Sequence, residues 1–230
     1  MTTSSNDTII ISLGGSLIVP DTVDASFLKE FKTLIESFVS EGKRFFIITG
    51  GGAPARTYQQ GLSEVIDATS EEKDWIGIHT TRLNAHLVRL AFGELAHTDI
   101  ILDPTDTVAT DKPVVIGAGW KPGWSTDYDA VMFAETAGAK KVLNLSNIEY
   151  VYDKDPKKYD DAQKIESISW SDFRKLLPEE WDPGLNSPFD PIAAKKAEEL
   201  GLEVGILNGK IENIRNYFEG KEFVGTVIGA

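Results

Sequence analysis

Apolar residues along this chain gather into short runs rich in β-branched and aromatic side chains: Thr8 to Leu13, Phe45 to Thr49, Asp99 to Leu102, Val114 to Gly117, Val142 to Leu145, Val204 to Leu207 and Val224 to Ile228. Runs this short and continuous are those of strands covered on both faces. Between several of them lie amphipathic stretches such as Ser26 to Ser40 and Thr69 to Ala96, whose alternation with the strands predicts parallel strands with helices on both sides of one sheet. Thr69-Ser70-Glu71-Glu72 has the form of a capping box opening the long helix. Asp190-Pro191 supplies an N-cap and first position for a helix ending near Leu200. Asp153 to Asp161, polar and interrupted by Pro156, is expected to be a surface loop, and Trp170 to Ser187, with Pro178, Pro183 and Gly184, to be irregular. There is no repeat, low-complexity tract or linker, so one domain over residues 1–230 is the expectation.

Two glycine clusters stand where predicted strands hand over to helices. Ile47 to Arg56 reads Ile-Ile-Thr-Gly-Gly-Gly-Ala-Pro-Ala-Arg, and near the N-terminus the first strand leads into Ser12-Leu13-Gly14-Gly15-Ser16. Glycine lets a ligand approach the backbone closely, and free N–H groups at a helix start attract anions. Pro54 suits a helix opening, where a missing N–H costs nothing. Each loop alone is a tight turn as readily as a phosphate cradle; two of them suggest two phosphate groups side by side. Ligands of open parallel sheets sit beyond the carboxyl ends of the strands. Gly117-Ala118-Gly119 and Ser146-Asn147 also follow predicted strands, so all four turns should converge on one edge.

Composition narrows the function classes. A net charge of −13 argues against a general nucleic-acid surface, so an anionic ligand must be held by a few local cations and backbone N–H groups. Without cysteine there is no disulfide framework, thiolate metal site or cysteine nucleophile. No run approaches a membrane span, and the polar start Met1 to Asp7 lacks the features of a signal peptide, which together lead to the expectation of a soluble, cytoplasmic protein. His79, His86 and His97 lack the spacing of a zinc site, and no metal site formed by protein side chains is expected.

Taken in order, Leu13-Gly14-Gly15-Ser16-Leu17, Gly50-Gly51-Gly52-Ala53-Pro54-Ala55-Arg56, Asp74 to Ala85 with its Thr81-Arg82-x-Asn84-Ala85, Pro122-Gly123-Trp124-Ser125-Thr126-Asp127, Asn147 to Pro156, Asp190 to Lys195 and Gly225 to Ile228 resemble the amino-acid kinase family. Within it they resemble the archaeal-type uridylate (UMP) kinases. The resemblance implies a three-layer α/β/α sandwich around a mostly parallel sheet, with an acceptor-binding half at about 8–138 and an ATP-binding half at about 139–230. It also implies transfer of the γ-phosphate of ATP to UMP, with Mg²⁺ held mainly by the phosphates, and a homo-oligomer, usually a hexamer.

Residue by residue, the resemblance implies catalytic roles for Asp127, Arg56, Gly15 and Ser16. UMP would meet Gly50, Asp74 (through the ribose hydroxyls), Trp120, Lys121, Pro122, Gly123, Trp124, Ser125 and Thr126. ATP would meet Ser12, Leu13, Gly14, Gly15, Ser16, Gly51, Arg56, Ser146, Asn147, Tyr152 and Asp155. By its residue type alone Asp74 is also a plain helix-surface acid, and Asp127 also an N-cap of a helix running to Gly138.

Several positions depart from the family pattern. Ser12 stands where many members have a lysine, Ala118 replaces a glycine, and the loop Gly119 to Gly123 is longer by one residue. Glu149-Tyr150 replaces Asp-Gly, and Asp129 places a second carboxylate where a small or apolar residue is usual. These departures leave open another small-molecule or nucleoside-monophosphate kinase of the same fold, or a nucleotide-binding regulator or storage protein.

Overall fold

The computed structural model describes residues 8–177 and 187–229; the expected irregular stretch around Pro178, Pro183 and Gly184 lies outside them. The apolar runs form β1 (Thr8–Leu13), β2 (Arg44–Thr49), β3 (Val114–Gly117), β4 (Lys141–Ser146), β8 (Glu203–Asn208) and β9 (Gly225–Ile228), with short β5 (Val151–Tyr152), β6 (Lys164–Ile165) and β7 (Ser167–Ile168) between them. A seven-stranded sheet runs in the order β3-β2-β1-β4-β8-β9-β7, and β5 pairs with β6 apart from it. The chain leaves β1 toward β2 and β3, then returns to lay β4 on the other side of β1. The carboxyl ends of β1 and β4 therefore border the crevice where connections diverge.

Alternation along the strands sorts the side chains into two layers. Ile11, Leu13, Phe45, Ile47, Ile116, Leu143 and Leu145 pack with α1 (Gly15–Ile18), α2 (Ala25–Ser40), α4 (Ser70–Phe92) and α8 (Ile211–Phe218). Ile10, Phe46, Ile48, Val115, Val142, Val204 and Ile206 pack with α5 (Thr126–Ala137), α6 (Trp170–Leu176) and α7 (Pro191–Glu199). Each fully buried Leu, Ile or Phe in these layers contributes about 1.5–3 kcal/mol. The remaining helix, α3 (Gly52–Val65), leans on α4 and buries only Ala55.

The capping box forms, Thr69 Oγ1 accepting the Glu72 N–H while the Glu72 carboxylate accepts from Thr69 N, and Asp190 caps α7 with Pro191 in first position. Three expectations are corrected. Asp99 to Leu102 is not a strand: only Ile101 makes a bridge, to Gly117, because Pro104 and the turn bonded by Asp103 end the pairing. Trp170–Leu176 is helical, started by the Ser169 side chain, which accepts from Asp172 N. β9 runs antiparallel to β8. Its cause is Asn213 on the first turn of α8, whose carboxamide exchanges two hydrogen bonds of 2.7 Å with the Val224 backbone and so starts β9 at the edge where β8 ends. Among the described residues no helix is long and apolar enough to cross a membrane.

At the β1 and β2 ends the two glycine loops lie backbone against backbone. A Cβ on Gly15 would fall 2.1 Å from Gly52 N and 2.6 Å from the Gly50 carbonyl, and Gly52 holds φ +71°. Gly61, inside α3, faces open space. Gly15→Ala is therefore expected to destabilise the protein by about 3 kcal/mol, whereas Gly61→Ala should stabilise it by about 0.5–1 kcal/mol; urea unfolding of the two variants checks both signs.

Candidate active site

The site grows from the carboxyl edge of the sheet. Leu13 O accepts Gly50 N–H and Leu145 O accepts Gly14 N–H, both at 2.8 Å, so the first glycine loop is laced between β2 and β4. Asn84 of α4 donates its carboxamide to Gly50 O at 2.8 Å and Gly51 O at 3.2 Å, which fixes the second loop from behind. Thr49 Oγ1 donates to Thr81 O, and Thr81 Oγ1 accepts the Gly119 N–H at 2.8 Å, tying α4 to the loop after β3. Among the described residues the N–H groups of Gly15, Gly51 and Gly52 have no carbonyl partner, as expected ahead of the first helical hydrogen bond. They form the anion-attracting floor.

Ser12 and Asn144 are register partners on β1 and β4, and alternation turns both toward α5. There Ser12 Oγ and Asn144 Nδ2 donate to the same oxygen, Asp127 Oδ1, at 2.9 and 2.7 Å. Burial pushes the Asp127 carboxyl up to about 6, against the lowering effect of the Ser12 and Asn144 donors and with Asp190 nearby adding to the rise. The N-cap of α5 is Ser125, whose Oγ accepts from Tyr128 N, so the expectation that Asp127 caps this helix is corrected: it lies two residues past the cap, in the first turn, freed from capping and bonded to the sheet. Gly138 does end the helix, in the left-handed conformation.

On the acceptor side Asp74 Oδ2 accepts Gly123 N–H at 2.8 Å, so this half-buried carboxylate is a loop anchor rather than a bare surface acid, with Oδ1 left over. Arg82 donates to Trp120 O at 3.1 Å. Lys121 Nζ sits 3.7 Å over the Trp120 ring, Trp120 and Trp124 stack at 6.3 Å, and Trp124 and Tyr128 at 4.1 Å. Pro122 and Thr126 complete this loop. Arg56 on α3 is exposed and, among the described residues, unpartnered, as is half-buried Ser16. Toward β4, Ser146 Oγ accepts from Ile148 N, Asn147 is exposed, and Tyr152 is half-buried on β5. Asp155 Oδ1 accepts from Lys157 N, and its other oxygen lies 3.7 Å from Lys158.

Two of the expected ATP contacts have other employment. The Ser12 hydroxyl is buried on Asp127, and Leu13 buries its side chain in the core while its carbonyl serves Gly50. Asn144 was not singled out from sequence, although a polar residue at the centre of the apolar run Val142 to Leu145 was its signal. Glu149-Tyr150 turns without a positive φ: the Glu149 carboxylate accepts from Asn208 at 3.1 Å and Lys210 at 3.0 Å.

A doubly wound sheet with two glycine loops packed together at its carboxyl edge, beside a half-buried aspartate held by two donors, is an α/β arrangement that offers free backbone N–H groups to an anion. The chain belongs to the amino acid kinase family, whose model matches residues 7–208. It is 33% identical over 225 residues to the uridylate kinase of Methanobrevibacter smithii, covering 96% of this chain and 98% of that one. It is 32% identical over 225 residues to the uridylate kinase of Thermoplasma volcanium, with 97% and 98% covered. The crystal structure of uridylate kinase from Archaeoglobus fulgidus superposes with a TM-score of 0.82 at 32% identity, covering 96% of this chain and 99% of that one. The mostly parallel sheet flanked by helices is that of the family.

With Asp127 at about 6, the ionised form that can orient cations and donors is lost as pH falls through that value, so kcat should fall on the acid side with an apparent pKa near 6. In Asp127→Asn, kcat is expected to drop at least about tenfold with little change in the KM for ATP, and pH–rate profiles of the two proteins check both points. Asp74→Ala, which leaves the Gly123 N–H without its charged acceptor, should raise the KM for UMP about tenfold and spare ATP; a matching loss of ATP affinity would place Asp74 in the other half.

Proposed function

We propose that this chain is a UMP kinase: it transfers the γ-phosphoryl group of Mg-ATP to UMP, giving UDP and ADP. The observation that carries the reading is the junction of Ser12, Asn144 and Asp127 beside the fused glycine loops, in a chain alike over nearly its full length to archaeal uridylate kinases. A UMP phosphate oxygen attacks the γ-phosphorus in line as the bond to the β,γ-bridging oxygen breaks, and ADP leaves. This reaction asks for positioning and charge neutralisation rather than covalent help.

Gly15, Ser16 and Gly51 hold the transferring group and the ATP tail through backbone N–H groups, while Gly14, whose own N–H is taken by Leu145 O, contributes a backbone without a side chain. Arg56 supplies a forked cation between donor and acceptor. Asp127, fixed on one oxygen by two donors, orients the cations and N–H groups around the phosphoryl. Gly50, Asp74 and the loop Trp120 to Thr126 hold UMP, and Ser146, Asn147, Tyr152 and Asp155 hold the nucleotide of ATP. This division sets the acceptor half at about 8–138 and the donor half at about 139–230.

Among the described residues no group of three or more acids or histidines is placed to hold a metal. Mg²⁺ enters as part of the Mg-ATP substrate, ligated mainly by phosphates and water, because it keeps several waters and needs few protein ligands. A homo-oligomer, a hexamer by resemblance, and a cytoplasmic location belong to the same proposal; Trp75, Leu83 and Leu90, exposed on α4, supply apolar surface for subunit contact.

Of the features that left a non-catalytic nucleotide binder open, Ser12 and Glu149-Tyr150 have structural accounts, since Ser12 serves Asp127 and Glu149-Tyr150 forms its turn without glycine; Ala118 has none. Release of ADP from Mg-ATP with UMP, CMP, AMP, GMP or no acceptor in parallel is expected to show turnover with UMP foremost. ATP binding without turnover on any acceptor would instead establish the regulator or storage reading.

A further inference from the structure

Asp129 lies two residues beyond Asp127 on the first turn of α5 and is fully buried. Its Oδ2 accepts the Trp120 N–H at 3.2 Å, and its Oδ1, also buried, has no hydrogen-bond partner among the described residues. The charges that weigh most on it are acidic: Asp127 on its own helix, Asp103 from the loop before β3, and Asp190 from the cap of α7; Arg82 of α4 spends its guanidinium on the Trp120 carbonyl at 3.1 Å. The lysines of α7 do not answer them, since Lys196 pairs with Glu135 farther along α5 at 3.0 Å and Lys195 is exposed. Lys121 lies over the Trp120 ring.

A carboxylate in such a place would be a buried charge with one oxygen unpaired and like charges around it, the costliest arrangement for an ionised side chain. A carboxylic acid is not. We propose that Asp129 is a positioning residue that works in its uncharged form: it holds the first residue of the acceptor loop, Trp120, against α5, and loss of its proton loosens that loop and weakens acceptor binding. Burial, with the neighbouring acids, raises the Asp129 carboxyl well above the usual carboxylate range, which agrees with this geometry. Trp120, whose backbone N–H Asp129 holds, carries the first ring of the aromatic stack through Trp124 to Tyr128, so the bond fixes the backbone at that end of the stack. This inference rests on the acceptor reading of the loop.

Three proteins test it: the parent, Asp129→Asn and Asp129→Leu. Asparagine keeps an oxygen for the Trp120 N–H and has no proton to lose; leucine fills similar space and leaves that N–H orphaned. The KM for UMP of the parent is expected to rise with pH on the alkaline side, while that of Asp129→Asn stays flat. Asp129→Leu should raise the KM for UMP about tenfold at every pH and leave the KM for ATP within about twofold. Identical pH profiles for the parent and Asp129→Asn would overturn the proposal, as would an unchanged KM for UMP in Asp129→Leu; if the leucine variant does not fold, the first comparison decides.

Thermal melting supplies a readout independent of turnover. The folded protein keeps the Asp129 proton above the unfolded pKa of about 4. The group's contribution to stability is therefore complete below that pH and lost as pH rises toward its folded value. The Tm of Asp129→Asn relative to the parent should accordingly climb with pH above about 4; a constant difference would sink the idea even if UMP proves to be the acceptor. A climbing difference in a protein that turns over no UMP would uphold the uncharged Asp129 and remove the acceptor reading instead.

Discussion

The contact on which the rest of the site depends is the backbone-to-backbone packing of Gly15 against Gly50 and Gly52. No side chain fits between these loops, since a Cβ on any of the three would lie within 2.1–2.6 Å of a neighbouring backbone atom. Because the loops lie this close, the end of β1 and the opening of α3 form one surface, and the N–H groups of Gly15, Gly51 and Gly52 stay free of carbonyl partners among the described residues. Asn84 holds the outside of this junction through the Gly50 and Gly51 carbonyls. The two loops are thus held by close packing and hydrogen bonds, the kind of preorganisation that lowers the ordering cost of binding at such a place.

The second organising constraint is the handling of negative charge. A chain with a net charge of −13 places Asp127, Asp129 and Asp190 close together at the edge where a phosphate ligand is proposed to sit. Each is accommodated differently. Asp190 gives its oxygen to the Ile192 and Ala193 N–H groups of α7, Asp127 takes two side-chain donors from the sheet, and Asp129 takes one backbone donor. Asp127 and Asp129 also lie in the first turn of α5, where the helix dipole favours negative charge, though by too little to match burial. Burial outweighs the donors at both, which is why their carboxyls rise rather than fall.

The departures from the family pattern become intelligible as local exchanges of one partner for another. Ser12 supplies no cation; with Asn144 it holds Asp127 instead. Glu149 replaces a turn residue yet is bonded by Asn208 and Lys210, which lets Tyr150 keep an ordinary backbone conformation. The lengthened loop is held at its two ends, by Asp129 and Arg82 at Trp120 and by Asp74 at Gly123.

Much of the architecture was legible in the linear pattern. Six of the seven apolar runs became strands, because strands covered on both faces must be continuously apolar; the seventh failed because Pro104 and the Asp103 turn follow it at once. Caps at Thr69 and Asp190 were legible for the same reason: hydrogen bonds of three residues' reach depend only on local sequence. The glycine loops were visible as loops, but that they touch each other was not, since contact between residues 15 and 52 is set by the pairing of β1 with β2. The partners of Asp127 come from β1 and β4, far apart in the chain, and the cap role belongs to Ser125 because α5 begins two residues earlier than the motif implied. The antiparallel course of β9 follows from Asn213 reaching Val224 across a helix. Local chemistry and periodicity therefore determined the elements and their order, while the direction of the last strands, the joining of the glycine loops and the protonation of the buried acids were decided by tertiary packing, because each depends on which distant groups exclude water from the same place.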